Sequence, residues 1–360
     1  MYAAYGVASP FLPAFLNERG VRPDQLGVVL AAGTAIRLLA APLAGRIGDL
    51  LQALRLVLVT SVALAAAVTL AYLPAGGFGA LLLLTLLHAA FLAPMPVLAD
   101  ALALGTSKRE RFEYGRVRGT GSAAFIAATL VSGQLVGAFG LQAIVWSQAL
   151  LLAIAALAAA RVPEIARQAA AAPHRPLELL RIPAFRNMVV VAALVLGSHA
   201  MHDAFAVIRW TEAGIAAGRS SALWSLAVVA EVVVFFVAGP ALIARLAPRG
   251  AIILAAAAGV VRWGVMAQST ELTALALVQP LHGITFALLH LACMRVIARS
   301  VPPGLEGTAQ ALYATVGIGA ATALLTLVSG TLYMNWGASG FWVMAALCAS
   351  ALPFAFRLRT

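Results

Sequence analysis

Long apolar segments alternate with short polar connections along the whole chain. A helix needs about 20 mostly apolar residues to cross a bilayer. The segments are rich in Ala and Leu and lack the alternation of apolar and polar residues that marks a barrel strand. They predict an all-α membrane protein, because a helix satisfies its backbone hydrogen bonds internally. Twelve segments are expected, at residues 1–16, 24–45, 54–73, 79–104, 117–139, 141–160, 186–210, 220–244, 250–268, 272–297, 306–332 and 336–356.

Composition supports this interpretation. Hydrophobic residues form 62% of the chain and charged residues 10%, against about 25% charged in ordinary soluble domains. The net charge of +11 comes from basic residues in the connections, so the bilayer rather than nucleic acid is the expected partner. Cys293 and Cys348 lie inside apolar segments, and neither a disulfide framework nor a metal site is expected. The sequence has no phosphate-binding loop, which argues against a built-in ATPase, and no cofactor is expected.

One long polar connection divides the chain. Residues 161–185 contain four prolines and an Ala-rich middle, which predicts a linker between two six-helix bundles at 1–160 and 186–360. An internal repeat favours the same division. Glu231 and Arg37 are 194 positions apart (231 − 37), and so are His282 and His88 (282 − 88).

The distribution of basic residues predicts the orientation. Of the 24 Lys and Arg residues, eighteen fall on one set of alternate connections and four on the other. Arg37 and Arg262 are left inside helices. Because basic residues concentrate in cytoplasmic connections, both termini and the linker are expected in the cytoplasm of a cell whose inner membrane holds the protein.

The most polar interval of the first bundle runs from Asp100 to Gly121. It consists of Asp100, a short basic loop and then Phe-Glu-Tyr-Gly-Arg-x-Arg-x-x-Gly, in which the second arginine is Arg118. This order resembles the connection between helices 4 and 5 in the lactose permease-like and phenylpropionate permease-like branch of the major facilitator superfamily. The resemblance implies twelve helices in two pseudo-symmetric bundles and proton-coupled transport of a small organic solute. It also implies that Asp100 and Arg118 act as a solute-binding pair across neighbouring helices.

A second motif lies at the end of the second segment. Gly45 and Asp49 in Gly-Arg-Ile-Gly-Asp, followed by Arg55, resemble the Gly-x-Leu-x-Asp loop signature of the superfamily. The resemblance implies a cytoplasmic gate formed by these residues. The basic cluster usual in the family is absent here, since Leu-Leu-Gln-Ala follows Asp49. A plain helix end is the alternative.

Further polar residues interrupt the apolar segments. Arg37 lies mid-segment and is expected to face a cavity or a partner. A structural or gating ion pair is favoured for it, and direct binding of the solute is the alternative. His88 is a candidate for the same cavity. His199 and His202 share one helix face, and Asp203 follows them. A water-facing cavity wall is favoured over a metal site for these three, because no further Cys, Asp or Glu is close in sequence.

Glu231, Arg262 and His282 lie on the eighth, ninth and tenth segments. A carboxylate among valines and phenylalanines must either become protonated or pair with a cation. The three residues are similar to the proton-coupling residues of lactose permease, with Thr285 where that family has a second carboxylate. The resemblance implies proton coupling by Glu231, Arg262 and His282, with Asp203 as a competing carrier. A permanent structural pair between Glu231 and Arg262 is the alternative. His290 is interpreted as an interior histidine.

The expected function is secondary active transport by alternating access, driven by protons. The resemblance implies an aromatic acid, a sugar or a nucleoside as the solute, and a monomer is expected. Two other classes remain, an intramembrane enzyme that acts on lipid and a non-transporting sensor built on a transporter fold.

Overall fold

The computed structural model describes residues 1–110, 114–164 and 176–358, and every element within these ranges is helical. The all-α prediction is confirmed. The side chains of residues 105, 107–116 and 165–176 are not among those described. Residues 165–175 of the predicted linker lie outside the described ranges altogether. The α-helices are α1 Tyr2–Ala8, α2 Leu12–Glu18, α3 Pro23–Leu51, α4 Leu54–Ala71, α5 Phe78–Leu92, α6 Pro94–Glu110, α7 Tyr114–Phe139, α8 Gln142–Ala159, α9 Pro183–Gly197, α10 Ala200–Glu212, α11 Ala217–Val233, α12 Gly239–Gln268, α13 Leu272–Val278, α14 Leu289–Ser300, α15 Glu306–Leu312, α16 Ala321–Trp336 and α17 Phe341–Phe356.

The described residues contain nine helical stretches long and apolar enough to cross a membrane. Two of them, Ala217–Gln268 and Glu306–Phe356, have 52 and 51 residues, and about 20 residues suffice for one crossing. Each contains a turn. In the first, Ala247 has a φ of 53° and Pro248 follows it, while in the second Gly337 has a φ of 51°. Each stretch can therefore cross twice.

Four segments that the sequence predicts as continuous are broken, one of them, 272–297, at the turn formed by Gln279 and Pro280. The other three are as follows. The chain leaves the helix between α1 and α2 around Pro10, between α5 and α6 before Pro94, and between α9 and α10 at Ser198. A proline has no N–H to donate to the preceding turn, which explains the first two breaks. At the third, the Ser198 hydroxyl donates to the carbonyl of Val195 at 2.6 Å, and such back-bonding bends helices.

The 194-residue repeat is visible in the backbone. α2 is closed by Gly20, two residues after its last residue; Gly20 has a φ of 86° and donates to the Asn17 carbonyl, while Val21 donates to the Leu16 carbonyl. α10 ends with the same pair of bonds, formed by Gly214 with a φ of 79° and by Ile215; their acceptors are Thr211 and Trp210. Each of these positions is 194 residues from its counterpart. Both ends are Schellman motifs, which place a left-handed residue, usually glycine, after the last helical turn.

Two compact units are formed. Unit 1 comprises Met1–Ala171 with Ala216–Ala222, and unit 2 comprises Ala172–Ile215 with Leu223–Thr360. The core of unit 1 contains aliphatic side chains from α4, α6 and α8, including Leu58, Leu98 and Leu152. Unit 2 buries Trp210 and Trp263, the two largest fully buried side chains among the described residues.

Unit 2 also contains three π-helical segments, at Val234–Ala238, Gly283–Leu288 and Tyr313–Ala320. The widened turns continue α11, precede α14 and continue α15. Such segments are rare and often lie at functional sites. Within the ranges described for unit 1, the elements are α-helical.

Candidate functional site

A chain of hydrogen bonds joins four polar side chains inside unit 2. His282 Nε2 lies 3.2 Å from a carboxylate oxygen of Glu231 on α11. The other ring nitrogen, Nδ1, lies 3.1 Å from Nη1 of Arg262 on α12. Nη2 of Arg262 donates to the Gln279 side-chain oxygen at 3.1 Å. The structure therefore brings Glu231, His282 and Arg262 together, and it adds Gln279, to which the sequence assigns no role.

The order of the chain determines which ring nitrogen of His282 carries the proton. A guanidinium has donors only, so Nδ1 of His282 must accept from Arg262. The proton of the neutral imidazole is then on Nε2, where it is donated to the Glu231 carboxylate. The direct pair between Glu231 and Arg262 considered from the sequence is not what forms. A neutral histidine stands between the two charges.

The two ends of this chain differ in burial. Arg262 is fully buried, its Nε has no partner among the described residues, and its guanidinium lies 4.5 Å from the Trp263 ring centroid. The side chains of Glu231 and His282 are 26% and 18% exposed. Arg262 is therefore a fixed cation, while Glu231 and His282 remain within reach of water.

A glycine allows His282 to approach Glu231. A Cβ atom placed on Gly283 would lie 2.6 Å from the carbonyl oxygen of Ala230. Real side chains do not come that close, so only glycine permits the π-helical segment to lie against α11 at this point. The neighbouring residues, His282 and Glu231, are brought into contact by this packing.

His199 and His202 lie against the same tryptophan. Their ring centroids are 5.3 and 5.9 Å from the Trp263 ring, and the His202 ring stacks on Trp224 at 5.1 Å. His199 also lies 5.1 Å from the His282 ring. Both histidines are buried, and their Nε2 atoms have no partner among the described side chains. Each can therefore donate to or accept from a further group.

Asp203 lies beside these rings. Its carboxylate is 3.3 Å from Nδ1 of His202, and its side chain is 57% exposed. It also lies within electrostatic range of Arg262. Asp203 is therefore a neighbour of the Glu231–His282–Arg262 chain rather than a member of it.

Arg37 of unit 1 has three ring-bearing side chains in its vicinity. Arg37 on α3 is exposed, and Tyr5, Tyr72 and His88 lie within its electrostatic range. The Tyr72 ring packs edge-on against His88 at 5.8 Å. The hydroxyls are engaged elsewhere, Tyr72 with Thr85 at 3.0 Å and Tyr5 with the Leu92 carbonyl at 2.9 Å. Among the described side chains, the guanidinium of Arg37 is thus an exposed cation, and the rings of Tyr5, Tyr72 and His88 lie near it.

Asp100 and Arg118 are related through Tyr2. The Arg118 guanidinium lies 4.7 Å from the Tyr2 ring centroid, and Asp100 lies within electrostatic range of the same tyrosine. Among the described side chains, no ion pair joins Asp100 directly to Arg118. A Cβ atom on Gly121 would lie 2.7 Å from the Tyr2 ring, so this glycine makes room for the tyrosine. The sequence predicts the two charges but not the ring beside them.

The predicted gate residues lie around the end of α3. Arg55 binds Glu164 through its guanidinium at 3.9 Å and its backbone N–H at 3.1 Å, and it donates to the Val162 carbonyl at 3.2 Å. The sequence missed Glu164 as this partner. Gly45 and Asp49 both lie in the last two turns of α3, which ends at Leu51. The latch between halves that the family resemblance implies stays a prediction.

Comparison with known proteins identifies the family. The model of the MFS_1 like family matches residues 1–344. The chain belongs to this family. A probable 3-phenylpropionic acid transporter of Escherichia coli (strain K12) is 35% identical, over 98% of this chain and 93% of that protein. A maltose permease of Geobacillus stearothermophilus is 26% identical, over 97% of this chain and 89% of that protein.

The fold agrees with this assignment. The crystal structure of the nucleoside transporter NupG superimposes with a TM-score of 0.84 at 17% identity, covering 99% of this chain and 95% of that one. The MFS_1 like chain therefore has the major facilitator fold, as the family resemblance predicts. It is a multi-pass membrane transporter and not an enzyme.

Proposed function

We propose that this transporter is a proton-coupled symporter, and that its solute is a small aromatic carboxylate. The single observation that carries the proton step is the chain from Glu231 through His282 to the buried Arg262. His282 accepts from Arg262 and donates to Glu231, so both ring nitrogens are engaged and the proton is taken up on the carboxylate of Glu231, which is 26% exposed. Sugars and nucleosides, which relatives in this superfamily carry by name, are the other solute classes to test.

The proton step follows from the hydrogen bonds. When Glu231 takes up a proton, it loses its negative charge, and its bond from His282 Nε2 becomes a weaker bond between neutral groups. Hydrogen bonds to charged groups contribute about 1.5–3 kcal/mol and neutral ones less. Protonation therefore loosens α11 from the segment that carries His282. A ligand or proton shifts a conformational equilibrium by its difference in affinity for the two states, which is the requirement for alternating access.

The solute class follows from the cation of unit 1. Arg37 would bind a carboxylate, and Tyr5, Tyr72 and His88 would contact an aromatic ring. In unit 2, His199 and His202 also belong to the proposed solute-binding set, since their Nε2 atoms have no partner among the described side chains. The 35% identical relative is described as a probable 3-phenylpropionic acid transporter. Asp100 and Arg118 complete the proposed solute-binding set.

The orientation is part of the proposal. We place both termini and the 161–185 linker in the cytoplasm of a cell whose inner membrane holds a monomer of two bundles, 1–160 and 186–360. A protease site inserted next to Ala170 should be cut in inverted vesicles and protected in intact cells. The opposite pattern would reverse the orientation.

Uptake by purified protein in liposomes tests the function. With an inward proton gradient, 3-phenylpropionate should accumulate and the lumen should acidify in step with it, while maltose and uridine should not. Accumulation of maltose or uridine instead would change the solute class. Accumulation without proton movement would remove the coupling. Binding without movement of any solute would identify a sensor.

A further inference from the structure

A second histidine lies two turns beyond His282 on the same length of helix. His290 is the second residue of α14, eight positions after His282, which corresponds to about 12 Å along a helix. It lies towards the end that carries Arg295 and Arg299, the cytoplasmic end in the proposed orientation. Unlike the buried His199 and His202, His290 is partly exposed. The proton step described above does not use it.

Aromatic rings connect the surroundings of the two histidines. The Phe286 ring stacks on His282 at 5.4 Å and packs edge-on against Phe235 at 6.3 Å, and Phe235 in turn lies 5.9 Å from the His290 ring. Phe235 is one turn after Glu231 on the neighbouring helical segment. The Glu231 carboxylate is within electrostatic range of His290. A proton that leaves Glu231 therefore has His290 as a basic group on the same aromatic-lined face.

Tyr313 holds the ring of His290. Its hydroxyl lies 3.1 Å from Nδ1 of His290, and the Cys293 thiol lies within its electrostatic range. The tyrosine is buried and stands at the start of the third π-helical segment. A phenol hydroxyl donates to an unprotonated ring nitrogen and accepts from a protonated one. The contact with Tyr313 therefore suits both protonation states of His290.

The π-helical segments coincide with these residues. Val234–Ala238 begins three residues after Glu231, Gly283–Leu288 begins directly after His282, and Tyr313–Ala320 begins at Tyr313. A widened turn re-aims the side chains that flank it and is often found at functional sites. The regular helices are thus interrupted beside Glu231, His282 and Tyr313, all of which face this route.

We propose that His290 is a second proton-holding site, which takes the proton released by Glu231 and passes it towards the cytoplasm, with Tyr313 as the residue that positions its ring. The Glu231 carboxyl gives its proton to water, which restores the carboxylate, and the imidazole of His290 takes a proton from water and holds it until water on the cytoplasmic side removes it; both side chains are partly exposed. Among the described residues, the titratable groups next to His290 are Tyr313, which contacts its ring, and Glu231, which lies within electrostatic range. The inference rests on Glu231 as the proton carrier of the proposed function.

Time-resolved infrared spectroscopy tests this without knowledge of the solute. After a step from low to high pH, the protonated-carboxyl band that is absent from Glu231→Gln reports the loss of the Glu231 proton. His290→Gln should slow its decay by at least about tenfold and leave its amplitude unchanged, since a positioned proton acceptor accelerates transfer by about 10²–10⁴. Tyr313→Phe should slow it less. Imidazole added to His290→Gly should restore the rate, which a purely structural role does not predict.

Cys293→Ala is the matched control, because Cys293 lies within electrostatic range of Tyr313 but takes no part in the route. In this variant the protonated-carboxyl band should decay at the wild-type rate. An unchanged rate in His290→Gln would overturn the relay and leave Glu231 as carrier. A carboxyl band that persists in Glu231→Gln would instead remove Glu231 from the proton step of the proposed function.

Discussion

Unit 1 and unit 2 place different chemistry at equivalent positions. Arg37 and His88 of unit 1 correspond to Glu231 and His282 of unit 2, and Tyr5 corresponds to His199, each pair 194 residues apart. In unit 2 the carboxylate is bound through His282 to a buried arginine. In unit 1 the arginine is exposed, and its aromatic neighbours bond elsewhere.

The different residues at these equivalent positions suit the two units to different chemistry. Imidazoles and a carboxylate gain and lose protons near neutral pH when their surroundings change, whereas phenols and a guanidinium keep theirs. Unit 2 thus holds groups suited to proton transfer, and unit 1 holds a constant positive charge suited to an anionic solute. The two clusters thus occupy equivalent positions of the repeat and differ in chemistry.

Replacing Glu231, the carboxylate of the unit 2 cluster, should have the largest effect on transport. Glu231→Gln resembles the protonated state, so it should abolish uphill accumulation of 3-phenylpropionate while exchange of labelled for unlabelled solute continues. Uptake with and without a proton gradient measures the first, and counterflow measures the second. Normal uphill accumulation by this variant would exclude Glu231 as the proton carrier.

Arg37→Gln tests unit 1. A charge-assisted bond to a carboxylate is worth about 1.5–3 kcal/mol, so affinity for 3-phenylpropionate should fall about 10- to 100-fold. Calorimetric titration measures this change. 3-Phenylpropanol, which has the ring without the carboxylate, is the matched control and should bind both proteins equally. An equal loss for the alcohol would indicate a damaged fold rather than a lost charge contact.

Asp100 and Arg118 sharpen the comparison, because unit 2 has uncharged, apolar residues, Met294 and Leu312, at the corresponding positions. Asp100→Asn and Arg118→Gln should each remove the rise in Tm that 3-phenylpropionate gives the wild type, while the protein is still recovered folded. Tyr2→Leu, which removes the ring beside Arg118, should weaken the rise. If both charge variants bind as the wild type does, the pair serves topology alone.

Gly283→Ala gives the smallest expected effect. The added methyl group would press on the Ala230 carbonyl, and overpacking of this kind costs about 1–3 kcal/mol. Tm should fall, and proton coupling should weaken with it. Gly137→Ala in α7 is the control, since a Cβ atom there meets nothing within 4 Å. Unit 1 already has alanine at the position equivalent to Gly283, Ala89. Equal Tm changes in both variants would show that close packing at Gly283 does not matter.

The sequence predicts the site residues whose polar or charged side chains cost free energy inside a membrane. Arg262, Glu231 and His282 stand out because charged or polar side chains among apolar residues need partners. Hydrophobic length likewise predicts the helices. Tyr2, Tyr5 and Tyr72 are missed, because aromatic residues in apolar segments also serve as packing and interface anchors.

The remaining features depend on tertiary contacts. The π-helical segments have no local sequence signal that separates them from α-helix, and the widened turn at Gly283 follows from its close approach to α11. His282 lies within a few ångströms of both Glu231 and Arg262. The spacing of the three residues along the chain does not specify these distances. Glu164 was missed as the partner of Arg55 for the same reason, since 109 residues separate them.

The paired helix ends at Gly20 and Gly214 also have a consequence for biosynthesis. Each turn is closed by bonds within six residues, so it can form as soon as that stretch leaves the ribosome, before any later helix exists. At about 5–20 residues per second, the second turn emerges about 10 to 40 s after the first. The same local signal thus ends a helix at Gly20 and again at the equivalent position, Gly214. Each helix end can form without contacts to the other half of the chain.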